Sequence, residues 1–298
     1  MKSNVLFIVA DSYAKLGGCT FVAITRGGIN KDIIMKSILI SCFVAFALLL
    51  PAQAKETPAT QEALTSKETF TFPSKDGLAI TADSYYSGTE EELPLIVLFH
   101  QAGWSRGEYL EIAPKLYKLG YNVMAVDLRS GKAVNGVINQ TAKAARKAGK
   151  RTRYIDALPD MEAALKYARK TVEPDVEVIA WGSSYSAALV LQLVGEKPEL
   201  ADAVLSFSPG EYFKKSGKPA NWIQHSAQSI NIPVFITSAK SEKGKWSAIF
   251  KGIKSKNKVS FILEANGNHG SRALWKKFSD SDEYWLAVSK FLGSIGAN

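Results

Sequence analysis

The chain is 298 residues long, 46% apolar, 22% charged and 10% aromatic, an ordinary globular composition that excludes a disordered, collagen-like or coiled-coil protein. Lysine and arginine outnumber aspartate and glutamate 37 to 28, and the resulting net charge of +9 permits attraction to anionic surfaces without demanding it. The two cysteines, Cys19 and Cys42, stand at no metal-like spacing from the three histidines, which excludes a zinc site or a disulfide scaffold.

From Met35 the chain reads Met-Lys-Ser, then an apolar run from Ile38 to Leu50, then Pro51-Ala52-Gln53-Ala54. A charged start, a short apolar core and an Ala-x-Ala end predict a secretory signal peptide over residues 35–54, cleaved near Ala54. The run is too short to span a bilayer, which needs roughly 20 helical residues. Residues 1–34 then read as an upstream extension, and the polar, Pro/Thr/Glu-rich residues 55–67 as a flexible leader. Cleavage removes both cysteines, which suits an oxidising exterior, so the expected location is periplasmic or secreted.

The remaining chain, 68–298, alternates strand-like and helix-like segments. Residues 69–72 and 78–86 predict an antiparallel pair around the turn Lys75-Asp76-Gly77. The continuous apolar run 95–99 predicts a strand covered on both faces. Further buried strands are predicted at 122–126, 176–180, 203–207, 234–237 and 259–263. Helical patterns fall at 109–119, 157–168, 186–194 and 283–292. This alternation is the mark of an α/β fold with a mostly parallel sheet.

The strongest chemical signal follows the predicted strand at 176–180, in Ala180-Trp181-Gly182-Ser183-Ser184-Tyr185-Ser186-Ala187-Ala188. A strand running into small-x-Ser-x-small and then a helix is the context of a nucleophile elbow. Ser184 has small residues two before and two after, Gly182 and Ser186. Ser183 would put Trp181 and Tyr185 at those positions, and Ser186 lies deeper in the helix. A second signal, His100-Gln101-Ala102-Gly103-Trp104, stands at the end of the first long apolar strand.

With these segments the chain resembles the α/β-hydrolase superfamily, most closely its dienelactone-hydrolase-like and small serine esterase branches. The resemblance implies a mostly parallel central sheet of about eight strands, with helices on both faces and a minimal lid. It implies an oxyanion hole from the backbone N–H groups of Ala102 and Tyr185. Because the family's usual His-Gly is His100-Gln101 here, Gln101 stands as the alternative donor. His100 itself reads as a staple of that loop. The family's acid loop resembles the stretch from Asn231, with Glu242 nine residues after Pro233 where the acid is expected. The family more often has aspartate there; Asp280 and Asp282 compete, but they follow the histidine and break the family's chain order. Asn266-Gly267-Asn268-His269-Gly270 resembles the loop that presents the general base, which makes His269 the third member.

A serine, a carboxylate and an imidazole in this chain order imply acyl transfer: Ser184 attacks a carbonyl, His269 takes its proton and Glu242 orients the imidazole. The expected activity is hydrolysis of a small-molecule carboxylic ester without a cofactor or metal. A peptidase or lactonase on the same residues, or an inactive binding protein of the same fold, are the alternatives. The short stretch 209–228 leaves little room for a lid, so an open site bordered by Trp104 and Tyr212 is expected. Two basic runs, 143–153 and 240–258, read as solvated faces; their sharper meaning is weak association with an anionic envelope surface. No nucleic-acid motif accompanies them.

Overall fold

The computed structural model describes residues 67–86 and 93–295. The extension, the signal segment and leader residues 55–66 lie outside the described residues, whereas Lys67 opens the first strand. In chain order the elements are β1 (Lys67–Pro73), β2 (Ala79–Tyr85), β3 (Leu95–Phe99), α1 (Ile112–Lys118) and β4 (Asn122–Val126). There follow β5 (Ala133–Val134), β6 (Val137–Ile138), α2 (Gln140–Lys147), α3 (Leu158–Thr171), β7 (Val178–Ser183) and α4 (Tyr185–Glu196). The chain continues with β8 (Ala203–Phe207), α5 (Trp222–Ala227), β9 (Val234–Thr237), α6 (Lys243–Gly252), β10 (Lys258–Phe261) and α7 (Ser281–Gly293).

Every residue of β3, β4, β7, β8 and β9 is buried, which is why these strands read as predominantly apolar runs rather than alternating ones. They form the middle of an eight-stranded sheet in the order β1-β2-β4-β3-β7-β8-β9-β10. The β1/β2 and β2/β4 pairs are antiparallel and all the others parallel. Consecutive residues of β3 feed opposite cores: Val97 and Phe99 join one cluster, Ile96 and Leu98 the other. The first core is closed by Met161 and Leu165 of α3, Leu189 and Leu193 of α4, Ile223 of α5 and Trp246 and Ile249 of α6. The second is closed by Ile112 and Leu116 of α1 and by Trp285, Val288 and Phe291 of α7. The sheet is thus covered on both faces, and each fully buried Leu, Ile or Phe contributes about 1.5–3 kcal/mol.

β5 and β6 form a separate hairpin, turned by Asn135 and Gly136 at φ 49° and 77°. It packs on the short 3₁₀ turn Arg106–Tyr109, where Ser105 Oγ donates to Val137 O at 2.7 Å and Asn135 Nδ2 to Gly107 O at 3.0 Å. Arg106 ties this turn to the sheet, its guanidinium lying 2.7 Å from Asp127 and 2.8 Å from Asp83. The stretch between β8 and β9 holds only a 3₁₀ turn and the six-residue α5, so among the described residues this connection supplies no lid domain over the carboxyl ends of the strands. No helix among the described residues is long and apolar enough to cross a membrane.

Candidate active site

β7 ends at Ser183 and α4 starts at Tyr185, so Ser184 alone turns the chain from strand to helix. It does so at φ 61°, ψ −118°, a conformation that costs a non-glycine residue about 1–3 kcal/mol. The turn presses α4 back against β7: a Cβ on Gly182 would stand 2.5–2.6 Å from backbone atoms of Ser186 and Ala187. Ser186 uses its hydroxyl inward, accepting from Ser183 N–H at 2.8 Å and donating to Phe99 O at 2.7 Å. Ser184 N–H donates to Phe207 O at 2.7 Å, which anchors the elbow to β8. Ser184 stands at the sheet's carboxyl edge and is largely buried, 9% exposed.

Ser184 Oγ lies 2.8 Å from His269 Nε2, and His269 Nδ1 lies 2.7 and 2.9 Å from the two carboxylate oxygens of Glu242. With the ring proton on Nδ1, that N–H donates to Glu242 and Nε2 is free to accept the serine hydroxyl. Burial alone would raise the Glu242 carboxyl, but His269, then Ser208 and Lys245, hold it down at about 2. Lys245 also reaches Glu242, at 3.3 Å, from a far more exposed position. The surface pair and the imidazole contact therefore coexist, and the imidazole contact is the shorter. Asp280, a competing acid in the sequence, instead accepts from Asn268 Nδ2 at 3.4 Å.

Ser208, directly after β8 and at φ 59°, was not singled out by any sequence pattern. Its hydroxyl accepts from Gly270 N–H at 2.8 Å and bonds Glu242, joining the acid to the histidine loop. Gly270 itself takes φ 72°, and a Cβ there would sit 2.6 Å from Ser183 Oγ. A side chain at this position would push the histidine loop off the elbow.

In the loop after β3, His100 is fully buried and neutral, burial holding its pKa down at about 4. Its Nε2 accepts from Leu128 N–H at 3.0 Å, so Nδ1–H donates to Gln101 O at 2.8 Å. That carbonyl and the Ala102 N–H belong to one trans peptide and point in opposite directions, so fixing one aims the other. Gln101 is corrected as an alternative oxyanion donor: its N–H donates to Glu108 Oε2 at 2.7 Å. Among the described residues no protein acceptor takes the N–H of Ala102 or of Tyr185.

Glu108 stands four residues beyond the His100–Trp104 segment, and no sequence pattern marks it. It is fully buried, and burial pushes its carboxyl up to about 7 against the pull of Ser183, Gln101 and Arg272. Its Oε1 accepts from Ser183 Oγ at 2.7 Å, and that oxygen accepts in turn from Ser271 N–H at 2.9 Å.

A groove of about 430 Å³ adjoins the loop at Gly103 and is lined by Ser130, Lys132, Arg146, Tyr154 and Tyr212 among others. Tyr212 donates to Ser208 O at 2.6 Å, and the Tyr154 ring lies 4.7 Å from that of Tyr185. Tyr185 keeps its own ring buried, its hydroxyl 2.6 Å from Ser130 Oγ. The Trp104 ring, partly exposed, stacks on that of Trp275 at 5.2 Å and 7° and is not among the residues lining this groove. Among the described residues no group of three or more His, Cys, Asp or Glu stands where it could hold a metal ion.

Comparison with known proteins places this geometry in context. The model of the dienelactone hydrolase family matches residues 82–256, which include Ser184 and Glu242 and end before His269. An esterase from Pyrococcus furiosus superposes with a TM-score of 0.58 at 17% identity, covering 82% of this chain and 97% of that one. A dienelactone hydrolase from Anabaena variabilis gives 0.59 at 12% identity, over 78% of this chain and 98% of that one. Acetyl xylan esterase 1 from Thermoanaerobacterium gives 0.54 at 15%, over 76% and 84%. Comparison with curated proteins returns no match. At such low identity the superpositions establish the α/β-hydrolase fold, while the family model spans more than half of the sequence. The chain belongs to the dienelactone hydrolase family, and it is a hydrolase built on the α/β-hydrolase fold.

Proposed function

We propose that the protein cleaves carboxylic esters through an acyl-enzyme on Ser184, with His269 as general base and Glu242 as its orienting acid. The observation that carries this reading is the continuous line from Ser184 Oγ through both ring nitrogens of His269 to Glu242, each step 2.7–2.9 Å. An isolated serine hydroxyl is a weak nucleophile; a base within hydrogen-bond reach activates it as it attacks the ester carbonyl. Nδ1–H to Glu242 keeps Nε2 as the acceptor and stabilises the imidazolium that follows proton transfer. The N–H groups of Ala102 and Tyr185 are the donors that would meet the developing oxyanion, each worth roughly 10²–10³ in rate. His269 returns its proton to the leaving alkoxide, then activates the water that releases the acid.

The groove beside Gly103 would take the substituent on the ester, with Tyr212 at its edge. Export after cleavage near Ala54 is part of the same reading and rests on the sequence of residues 35–54. The test is Ser184→Ala with p-nitrophenyl acetate as substrate, where kcat should fall roughly 10⁴–10⁶-fold. A fluorophosphonate should label Ser184 in the native protein and leave the heat-denatured protein unlabelled. Wild-type turnover by Ser184→Ala would remove Ser184 as the nucleophile, and no labelling with no turnover would favour an inactive binding protein of this fold.

A further inference from the structure

Three separate loops must keep register for the proposed chemistry: the loop after β3 with Ala102, the elbow with Ser184 and the loop with His269. One buried side chain touches the first two directly and the third through a single hydroxyl. Glu108 Oε2 accepts from Gln101 N–H, Oε1 accepts from Ser183 Oγ, and Ser183 Oγ accepts from Ser271 N–H, at 2.7, 2.7 and 2.9 Å. Gln101 immediately precedes Ala102, Ser183 immediately precedes Ser184, and Ser271 stands two residues after His269. The backbone carbonyl of Glu108 is fixed as well, accepting from Trp275 Nε1 at 2.8 Å.

We propose that Glu108 is a positioning residue for hydrolysis at Ser184, its buried carboxylate clamping the oxyanion loop, the elbow and the histidine loop into one register. The inference rests on the reading of Ser184 as nucleophile. Burying a carboxylate is expensive, and an apolar side chain of similar volume would usually serve stability at least as well. What the carboxylate adds is acceptance on both oxygens at once, and no neutral side chain of that size can do this. Gln101 is then held from both sides, N–H by Glu108 and C=O by His100, which leaves the Ala102 N–H a single direction. In the ionised form every proton of the cluster has an acceptor: Gln101 N–H and the Ser183 hydroxyl both go to Glu108, and Ser271 N–H goes to Ser183 Oγ.

In Glu108→Gln the amide oxygen can still accept from Gln101 N–H, but the amide nitrogen can only donate toward Ser183 Oγ, so the Ser183 hydroxyl proton loses its acceptor and the joint to the elbow and histidine loop reorganises. A misplacement of about 1 Å at reacting groups costs on the order of 10² in rate, so kcat should fall roughly 10–100-fold with KM within about threefold. Ser183→Ala cuts the link to the elbow and the histidine loop but keeps Gln101 bound; about a tenfold loss in kcat is expected. Rates are expressed per site titrated by a fluorophosphonate, so that a fraction of unfolded protein does not count as slow enzyme. Per-site kcat within twofold of wild type in either soluble variant overturns the inference. Wild-type turnover in Ser184→Ala, run beside them, would instead overturn the nucleophile assignment on which the inference rests.

Discussion

Glu242 and Glu108 are both buried carboxylates, yet their surroundings move them in opposite directions. Glu242 faces an imidazole that can carry charge and is drawn down to about 2 against its burial, whereas full burial pushes Glu108 up to about 7 against the weaker pull of its N–H and O–H donors. Each shift has a signature in stability. The stabilisation from Glu242 is complete above its ordinary value of 4.5 and is lost as pH falls toward 2. Glu108 has the reverse sign: its folded form binds the proton more tightly, so stability is fullest below 4.5 and is lost as pH rises through 7. Melting temperatures of the variants between about pH 3 and pH 8 should separate the two by linkage. Glu242→Gln should flatten the acid limb and Glu108→Gln the slope above it. At neutral pH Glu242→Gln should keep the fold yet lower kcat by roughly 10³–10⁴-fold, because the imidazole loses its tautomer control. Activity equal to wild type would remove Glu242 from the chemistry.

Among the elements, α2 matters to the site more than its length suggests. Asn139 caps it, accepting from Ala142 N–H at 2.7 Å, while its amide donates to Leu128 O at 2.9 Å and Trp104 O at 3.1 Å. One fully buried side chain thus joins a helix start to the oxyanion loop. Asn139→Ala should cost about 2–4 kcal/mol in urea unfolding, the sum of a lost cap and stranded carbonyls. A change below about 0.5 kcal/mol, the usual range for surface substitutions, would show the loop to be held by other contacts. α2 escaped the sequence reading because its core-facing residues, Ala142 and Ala145, are alanines, which leave no bulky apolar period to detect. α6 escaped because Trp246 and Ile249 are set among lysines. The β5/β6 hairpin was passed over despite the Asn135-Gly136 turn signal, since two-residue strands carry no periodicity. By contrast β3, β4, β8 and β9 match the predicted bounds because full burial demands predominantly apolar runs. The strand predicted at 176–180 begins at Val178 and continues to Ser183, small polar residues being buried there by the elbow's own hydrogen bonds. The elbow pattern marked Ser184, and resemblance to the family's acid and base loops marked Glu242 and His269; the fold brings the three within hydrogen-bond reach. Ser208 and Glu108 were invisible because their importance lies in contacts between loops distant in sequence.

For the whole molecule, the charge excess leaves many cations facing solvent. Lys143, Arg146, Lys147 and Arg151 are exposed, and α6 presents Lys243, Lys245 and Lys251 outward. A cationic surface gains on the order of 1 kcal/mol per lysine or arginine near an anionic bilayer, an attraction that fades within a Debye length. The protein expressed from Met35 and recovered from the periplasm should begin at Lys55. That mature form should sediment with phosphatidylglycerol vesicles but not phosphatidylcholine vesicles, and release at roughly 0.5 M salt. An intact Met35 start would set aside export by this route; binding indifferent to salt or lipid charge would set aside the anionic surface.

The strained backbone of Ser184 sets the interests of the enzyme and of the fold against each other. A residue held at φ 61°, ψ −118° stores conformational energy that only a glycine would release. Ser184→Gly and Ser184→Ala both remove the hydroxyl, but only the former relaxes the elbow. Strain relief of about 1–3 kcal/mol exceeds the roughly 0.4–1 kcal/mol that glycine loses through a freer unfolded chain. Ser184→Gly should therefore unfold about 1 kcal/mol later than Ser184→Ala, though both are equally silent toward esters. Equal stability of the two would mean that the elbow is not strained. If the difference is found, selection has kept in this chain a residue that makes the molecule less durable, and has kept it for the hydroxyl alone.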